Sequence, residues 1–253
     1  MRFVWAVVRR EVKSYFVSPL AYTAIAVFLA IQGVLFAAAL VQYNALRIQA
    51  AQNPLLKLPG AEIVIRDFFG SDVLWALVVI VPLLTMRLLA DERRQHTAEL
   101  LLTAPMTTRQ LVVGKFLGSL VVLVVMLLMT LWMPLLVLAW GDADPGVLVS
   151  GLLGAVLYGA FLLALGLLAS SLTESPFVAA IIAVLFIAGV TFLGIQATNL
   201  PVIGRNLDQF TPAANLAEMA QGVIDSHALV YFLSMITFVI ELTARVVDSQ
   251  RWR

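Results

Sequence analysis

The sequence predicts an all-α integral membrane protein, and its composition is the first reason. The chain has 253 residues, of which 62% are hydrophobic and only 12% are charged, and its mean hydropathy is +0.99. Soluble domains carry about 25% charged residues. This much apolar surface cannot be hidden in one soluble core, so the bilayer has to act as the solvent for most of the chain.

The second reason is the length of the apolar segments. About 20 residues in a helix cross the roughly 30 Å of hydrocarbon in a bilayer. Six segments qualify as spans, at about 20–42, 73–89, 116–140, 147–172, 176–195 and 228–247. Two longer loops, 43–72 and 196–227, are apolar enough to form short helices at the membrane interface, although ordinary packed loops are the alternative.

The basic residues predict the orientation. An even number of spans puts both termini on one side of the membrane. If that side is the cytoplasm, only four of the 16 lysines and arginines lie outside: Arg47, Lys57, Arg66 and Arg205. The positive-inside rule therefore favours cytoplasmic termini for this multi-pass membrane protein.

Residues 1–19 predict an amphipathic elbow helix on the cytoplasmic leaflet. The apolar residues on one side of this helix are Val4, Val8, Val12, Tyr15 and Phe16. The basic residues expected at the membrane surface are Arg2, Arg9, Arg10 and Lys13. Ser18 and Pro19 end the helix before the first span. A simple polar lead-in to that span is the alternative interpretation.

The longest charged interruption, residues 88–115, is the strongest candidate for a binding segment. Its central part, 97–103, favours a short helix that ends before Pro105. Leu100 and Leu101 give this helix an apolar face, and charged residues surround them, with Glu99 placed to pair with a basic residue of a partner. Apolar anchors inside a charged rim are typical of a protein interface. A solvated helix face is the alternative for the charges, most of all for Arg93 and Arg94.

Several chemical functions are excluded or disfavoured. The chain has no cysteine, which excludes thiolate metal sites and cysteine nucleophiles. Its two histidines, His96 and His227, fall on opposite sides of the membrane in this topology. Lys115 follows a glycine but precedes Phe116, so it does not belong to a phosphate-binding loop. No acidic residue lies near the middle of a span, which disfavours an ion-coupled carrier. We expect no enzyme activity and no bound metal or cofactor, and a net charge of +1 gives no reason to expect nucleic-acid binding.

The fourth predicted span is lined with small residues at three- and four-residue spacing. They are Gly151, Gly154, Ala155, Gly159, Ala160, Ala164 and Gly166. Small residues allow the backbones of two helices to approach closely. We favour a neighbour within the same chain over a neighbour in a second copy.

The stretch 82–115 also carries a recognisable motif. Its parts are Pro82, Met86-Arg87, Asp91-Glu92-Arg93-Arg94, Thr97, Glu99-Leu100-Leu101, Thr103-Ala104-Pro105 and Gly114-Lys115. This pattern resembles the ABC-2 type permease family, and within it the branch associated with gliding motility and copper-enzyme maturation. His96 departs from the pattern, because the family usually has glycine there.

The resemblance implies a single permease domain over residues 1–253 that couples ATP hydrolysis by a partner to export or movement of a substrate. Two cytoplasmic ATPase subunits would bind ATP and Mg, and a second permease, identical or related, would complete the complex. Residues 88–115 would form the coupling loop. The implied ATPase-coupling residues are Arg87, Glu92, Arg93, Arg94, Thr97, Glu99, Leu100, Leu101, Pro105 and Glu174.

The outer segment 196–227 is a candidate gate. Its polar residues Asn206, Asp208 and Gln209 are candidates for meeting a cargo or a periplasmic accessory protein, although plain turn or capping roles are equally open. The alternative function is an ATP-coupled mechanotransmitter or scaffold that passes force to such a periplasmic partner without transporting a solute.

Overall fold

The structure, a computed structural model, describes residues 2–52, 60–94, 107–141, 143–198 and 211–249. Within these ranges the chain is almost entirely helical and contains no strand. The helices are α1 (Arg2–Val17), α2 (Pro19–Gln52), α3 (Glu62–Asp67), α4 (Val73–Thr85), α5 (Ala90–Arg94), α6 (Thr108–Thr130), α7 (Trp132–Trp140), α8 (Pro145–Ser171), α9 (Pro176–Thr198), α10 (Pro212–Ala220) and α11 (Ser226–Ser249). A π-helical segment, Phe68–Asp72, joins α3 to α4. The predicted all-α membrane fold is confirmed.

Five helical stretches are long and apolar enough to cross a membrane. They are Ala21–Gln52, Glu62–Arg94, Thr108–Trp140, Pro145–Ser171 and Ser226–Ser249. The remaining predicted span coincides with α9, whose fully described part, Pro176–Phe192, is shorter than a span requires. Five of the six predicted spans are therefore supported, and the sixth stays a prediction.

Successive long helices run in opposite directions, which gives the bundle two ends. At one end, Tyr15 contacts Leu84 and Lys115 contacts Glu92. This polar end consists of α1, the segment 86–94, the start of α6 and the end of α8. At the opposite end, Gly141 lies against Ala61. The described parts of the two predicted interface segments, 43–52 with 60–72 and 211–227, fall at this opposite end.

The first span is longer than its hydropathy suggests. Helix α2 has 34 residues and is therefore about 51 Å long, so residues 43–52 of the predicted loop continue the helix. No glycine or proline lies between Gly33 and Pro54, and polar residues such as Asn44 lower the hydropathy of a helix without ending it. The rest of the described loop, 62–72, is a helical lead into α4 with Phe68 and Phe69 buried.

The third span is interrupted at Leu131, between α6 and α7. Pro134 lacks the N–H that would donate to the carbonyl of Thr130, which breaks the regular hydrogen bonding one turn before it. The Leu131 N–H donates instead to the carbonyl of Leu128, three residues back.

Helix α8 is the centre of the bundle and packs against α4, α6, α9, α10 and α11. Its glycines make this possible. A Cβ atom added to Gly166 would come within 2.2 Å of Thr85 Oγ1, and one added to Gly159 within 2.8 Å of Leu123 Cδ1. A Cβ atom added to Gly154 would come too close to Met219. Met219 belongs to α10, the short helix expected before the last span. The small-residue face therefore packs within this chain, as predicted.

The tightest of these crossings can be tested with one methyl group. Gly166→Ala forces α8 away from α4, and such overpacking costs about 1–3 kcal/mol. Gly189→Ala in α9 is the matched control, because an added Cβ meets nothing within 4 Å there and alanine favours a helix over glycine. We expect a lower melting temperature of the detergent-purified chain for the first variant only. Equal shifts for both variants would show that the crossing is not tight.

Candidate functional site

The polar end contains a buried cluster of three charged side chains. Lys115 of α6 is only 3% exposed, and its Nζ lies 2.9 Å from Glu11 Oε1 and 2.8 Å from Glu92 Oε1. Glu11 belongs to α1, and Glu92 belongs to α5. A buried ammonium group is very costly unless carboxylates pair with it. The cluster therefore ties three helices from distant parts of the sequence to one point.

Two glycines of α6 bring α1 close enough for this pairing. A Cβ added to Gly114 would come within 2.7 Å of Val7 Cβ, and one added to Gly118 within 2.7 Å of Glu11 Cβ. Residues four apart lie on the same face of a helix, so the two glycines form a groove along α6. Helix α1, the predicted elbow, fills this groove and buries Val8. The elbow is a helix as predicted, and one side of it packs on the third span.

A second contact fastens the end of α1 to the end of α4. The Tyr15 hydroxyl donates a hydrogen bond to the Leu84 carbonyl at 2.6 Å. This carbonyl is available because α4 ends at Thr85, and the Leu88 N–H donates to the Thr85 carbonyl instead. Burial, with a smaller contribution from the Glu11 carboxylate, raises the pKa of Tyr15 far above its ordinary value, so the hydroxyl remains a donor.

Ser170 holds the break between α4 and α5. Its Oγ accepts hydrogen bonds from the N–H groups of Leu89 and Ala90, at 3.0 and 3.1 Å, and donates to the Met86 carbonyl at 3.2 Å. These N–H groups at the start of α5 have no acceptor within their own helix. Arg93 adds a bond from Nη1 to the Ser171 carbonyl at 2.9 Å. Helix α5 is thereby fixed to the end of α8.

The start of α6 is fixed to the end of α11. Thr107 and Gln110 form a capping box, in which each side chain bonds the backbone of the other residue. Thr108 then donates to a carboxylate oxygen of Asp248, and Arg109 forms an ion pair with Glu241. The two described residues that flank the segment 95–106, Arg94 and Thr107, thus stand on helix ends that are bonded to the bundle.

The described coupling residues fall into two groups. Glu92 and Arg93 are engaged with Lys115 and with the Ser171 carbonyl. The other three, Arg87, Arg94 and Glu174, are exposed, although Arg87 Nε lies 3.8 Å from Asp91 Oδ2. The remaining coupling residues lie outside the described residues: Thr97, Glu99, Leu100, Leu101 and Pro105.

The predicted membrane-surface residues Arg9, Arg10 and Lys13 are exposed on α1. The side chain of Arg2 and the candidate gate residues Asn206, Asp208 and Gln209 lie outside the described part of the chain. Among the described residues, no group of three or more His, Cys, Asp and Glu side chains comes together as a metal site would require.

The sequence analysis missed the ion cluster and the role of Ser170. One signal was present for Glu11, which lies three residues after Val8 and four residues before Tyr15, on the apolar side of the predicted elbow helix. A carboxylate on such a face requires a buried cation as its partner. The sequence offered no comparable signal for Ser170.

Comparison with known proteins agrees with this architecture. A search of the curated proteins finds no match. A family model described as ABC-2 family transporter protein matches residues 5–248. The match extends from α1 through the whole bundle to the end of α11. The chain therefore belongs to the ABC-2 family of transporter membrane proteins.

Proposed function

We propose that this chain is the permease subunit of an ATP-binding cassette transporter of the gliding-motility and copper-enzyme-maturation branch, driven by a separate ATPase. The observation that carries the proposal is the anchoring of the two described helices that flank residues 95–106. Ser170 and Lys115 fix the preceding helix, α5. The following helix, α6, is bonded to α1 and α11. A displacement of these two helices is therefore passed on to the bundle.

The route of such a displacement follows from the contacts. An ATPase that pushes on 95–106 moves α5 and the start of α6. The Glu92–Lys115–Glu11 cluster carries the movement to α1, because separating α1 from α6 would take away one of the two carboxylates that pair with the buried ammonium group of Lys115. Ser170 carries the movement to α8, the helix that contacts most of the others. Rigid-body displacement of packed helices is a common form of switching.

The assembly we propose contains two such permeases, identical or related, and two ATPase subunits that bind ATP and Mg. The family membership supports this composition. The complex lies in the inner membrane with both permease termini in the cytoplasm, and ATP hydrolysis drives export or movement of its substrate. Exposed apolar side chains on the outer helices, such as Val34, Val230 and Phe238, suit contact with lipid or with a second permease.

The docking role of the coupling segment can be tested with one charge reversal. Glu99→Arg places a cation where we expect a basic residue of the ATPase, and an unpaired charge inside an interface costs several kcal/mol. Glu218→Arg makes the same change at an exposed position of α10, near the opposite end of the bundle. Tagged protein is purified from native membranes, and the recovered ABC ATPase is measured by peptide mass spectrometry and ATP hydrolysis.

We expect the ATPase to accompany the wild-type chain and Glu218→Arg and to be lost with Glu99→Arg, while all three insert equally. Recovery of no ABC ATPase with the wild-type chain would contradict the proposed function. Equal recovery with both variants would exclude docking through this segment.

The orientation can be tested because the chain has no cysteine of its own. Single cysteines at Gln52, Asp144 and Asp208 should react with a membrane-impermeant thiol reagent added from outside. Single cysteines at Gln95, Glu174 and Ser249 should react only after permeabilisation. The opposite pattern, or a mixed pattern within either group, would contradict six spans with cytoplasmic termini.

A further inference from the structure

A cavity of about 250 Å³ opens at the polar end between α1, the end of α4 and α5. It is slightly smaller than the roughly 300–1,000 Å³ of pockets that hold drug-sized ligands. Its lining includes the apolar side chains of Ala21, Leu83 and Leu88. Six charged side chains also line it: Arg10, Glu11, Arg87, Asp91, Glu92 and Lys115.

The charges of this cavity are arranged by depth. Its least exposed part is the ion cluster, in which two carboxylates share the ammonium group of Lys115. Counted over the described side chains alone, this inner part has a net charge of −1. The more exposed part contains Arg10, which forms no ion pair with any of the described residues, and Arg87, whose pair with Asp91 is long at 3.8 Å. The cavity is thus negative inside and positive at its mouth.

An exposed apolar stripe leads along α4 to this mouth. Trp75, Val79 and Leu83 follow one another at four-residue spacing, and all three are exposed. Leu83, the last residue of the stripe, lines the cavity, and Arg87 lines it too. A hydrocarbon chain lying on the stripe therefore ends beside the mouth of the cavity.

We propose that this cavity binds the headgroup of a phospholipid in which a primary ammonium follows the phosphate. The phosphate pairs with Arg10 and Arg87 at the mouth. The ammonium extends toward Glu92 and Glu11, whose carboxylates exceed the charge of Lys115. A primary ammonium donates three hydrogen bonds, whereas a quaternary ammonium donates none. A headgroup that carries only the phosphate charge leaves the inner carboxylates without a new partner. The bound lipid contacts both α1 and the end of α4 and stabilises their packing. This role does not depend on the ATPase.

The test measures lipid retained by the purified full-length chain, without ATP or ATPase. The chain is reconstituted in phosphatidylcholine alone, or with added phosphatidylethanolamine or phosphatidylglycerol, and is then extracted in mild detergent for native mass spectrometry. We expect about one retained phosphatidylethanolamine per chain, and about tenfold less retention of the other two lipids, as loss of a charge-assisted hydrogen bond implies. Equal retention of phosphatidylglycerol would show that the cavity recognises only the phosphate and not the ammonium group, and it would overturn the proposal.

Variants locate the site. Arg10→Gln and Arg87→Gln should each lower phosphatidylethanolamine retention about tenfold. Arg245→Gln is the matched control, because Arg245 of α11 is exposed but does not line the cavity. Equal retention by all three variants would overturn the proposal.

A soluble headgroup separates a lipid site from a phosphate site. Phosphatidylethanolamine should raise the melting temperature of the delipidated chain, and phosphoethanolamine at the same concentration should leave it unchanged, because the stripe on α4 is then empty. An equal rise with phosphoethanolamine would show that the acyl chains contribute nothing and would overturn the lipid assignment.

Discussion

The pairing of Lys115 with Glu11 and Glu92 is the constraint on which the polar end of this protein depends. A lysine that is 3% exposed needs carboxylates in place of the water that it has lost. Each of its two partners comes from a different helix. Separating α1 or α5 from α6 would remove one of these carboxylates from the buried ammonium group, so the cluster holds the three helices together.

This pairing is possible because glycines make room for it. Gly114 and Gly118 remove the side chains that would hold α1 away from α6, and Gly166 does the same where α8 crosses α4 beside Thr85. The hydrophobic effect cannot draw helices together inside a bilayer, where lipid tails are as apolar as the side chains, so close backbone approach and polar contacts do so. At the polar end, glycines allow the helices to approach closely, and the polar contacts of Ser170 and Lys115 fix their relative positions.

The part of the fold that follows from local sequence was predictable. The length of the apolar segments located five of the six predicted spans, and the helical spacing of apolar residues identified α1. The end of α2 was misplaced because hydropathy reports contact with lipid. The helix itself continues through polar residues as far as Gln52, two residues before Pro54. The ion cluster was not predictable, since Lys115 and Glu11 are separated by 104 positions and only the tertiary fold brings them together. The coupling residues were recognised from a motif, and their docking role remains a proposal.

The most direct test is the melting temperature of the detergent-purified Lys115→Met chain. Lys13→Met, on the exposed side of α1, is the matched control. Removing Lys115 leaves two carboxylates facing each other with little water, and such a loss typically costs about 3–5 kcal/mol. The account predicts a large fall in melting temperature for Lys115→Met alone, and recovery of most of it when Glu11→Gln and Glu92→Gln are added. A Lys115→Met chain as stable as Lys13→Met would contradict it.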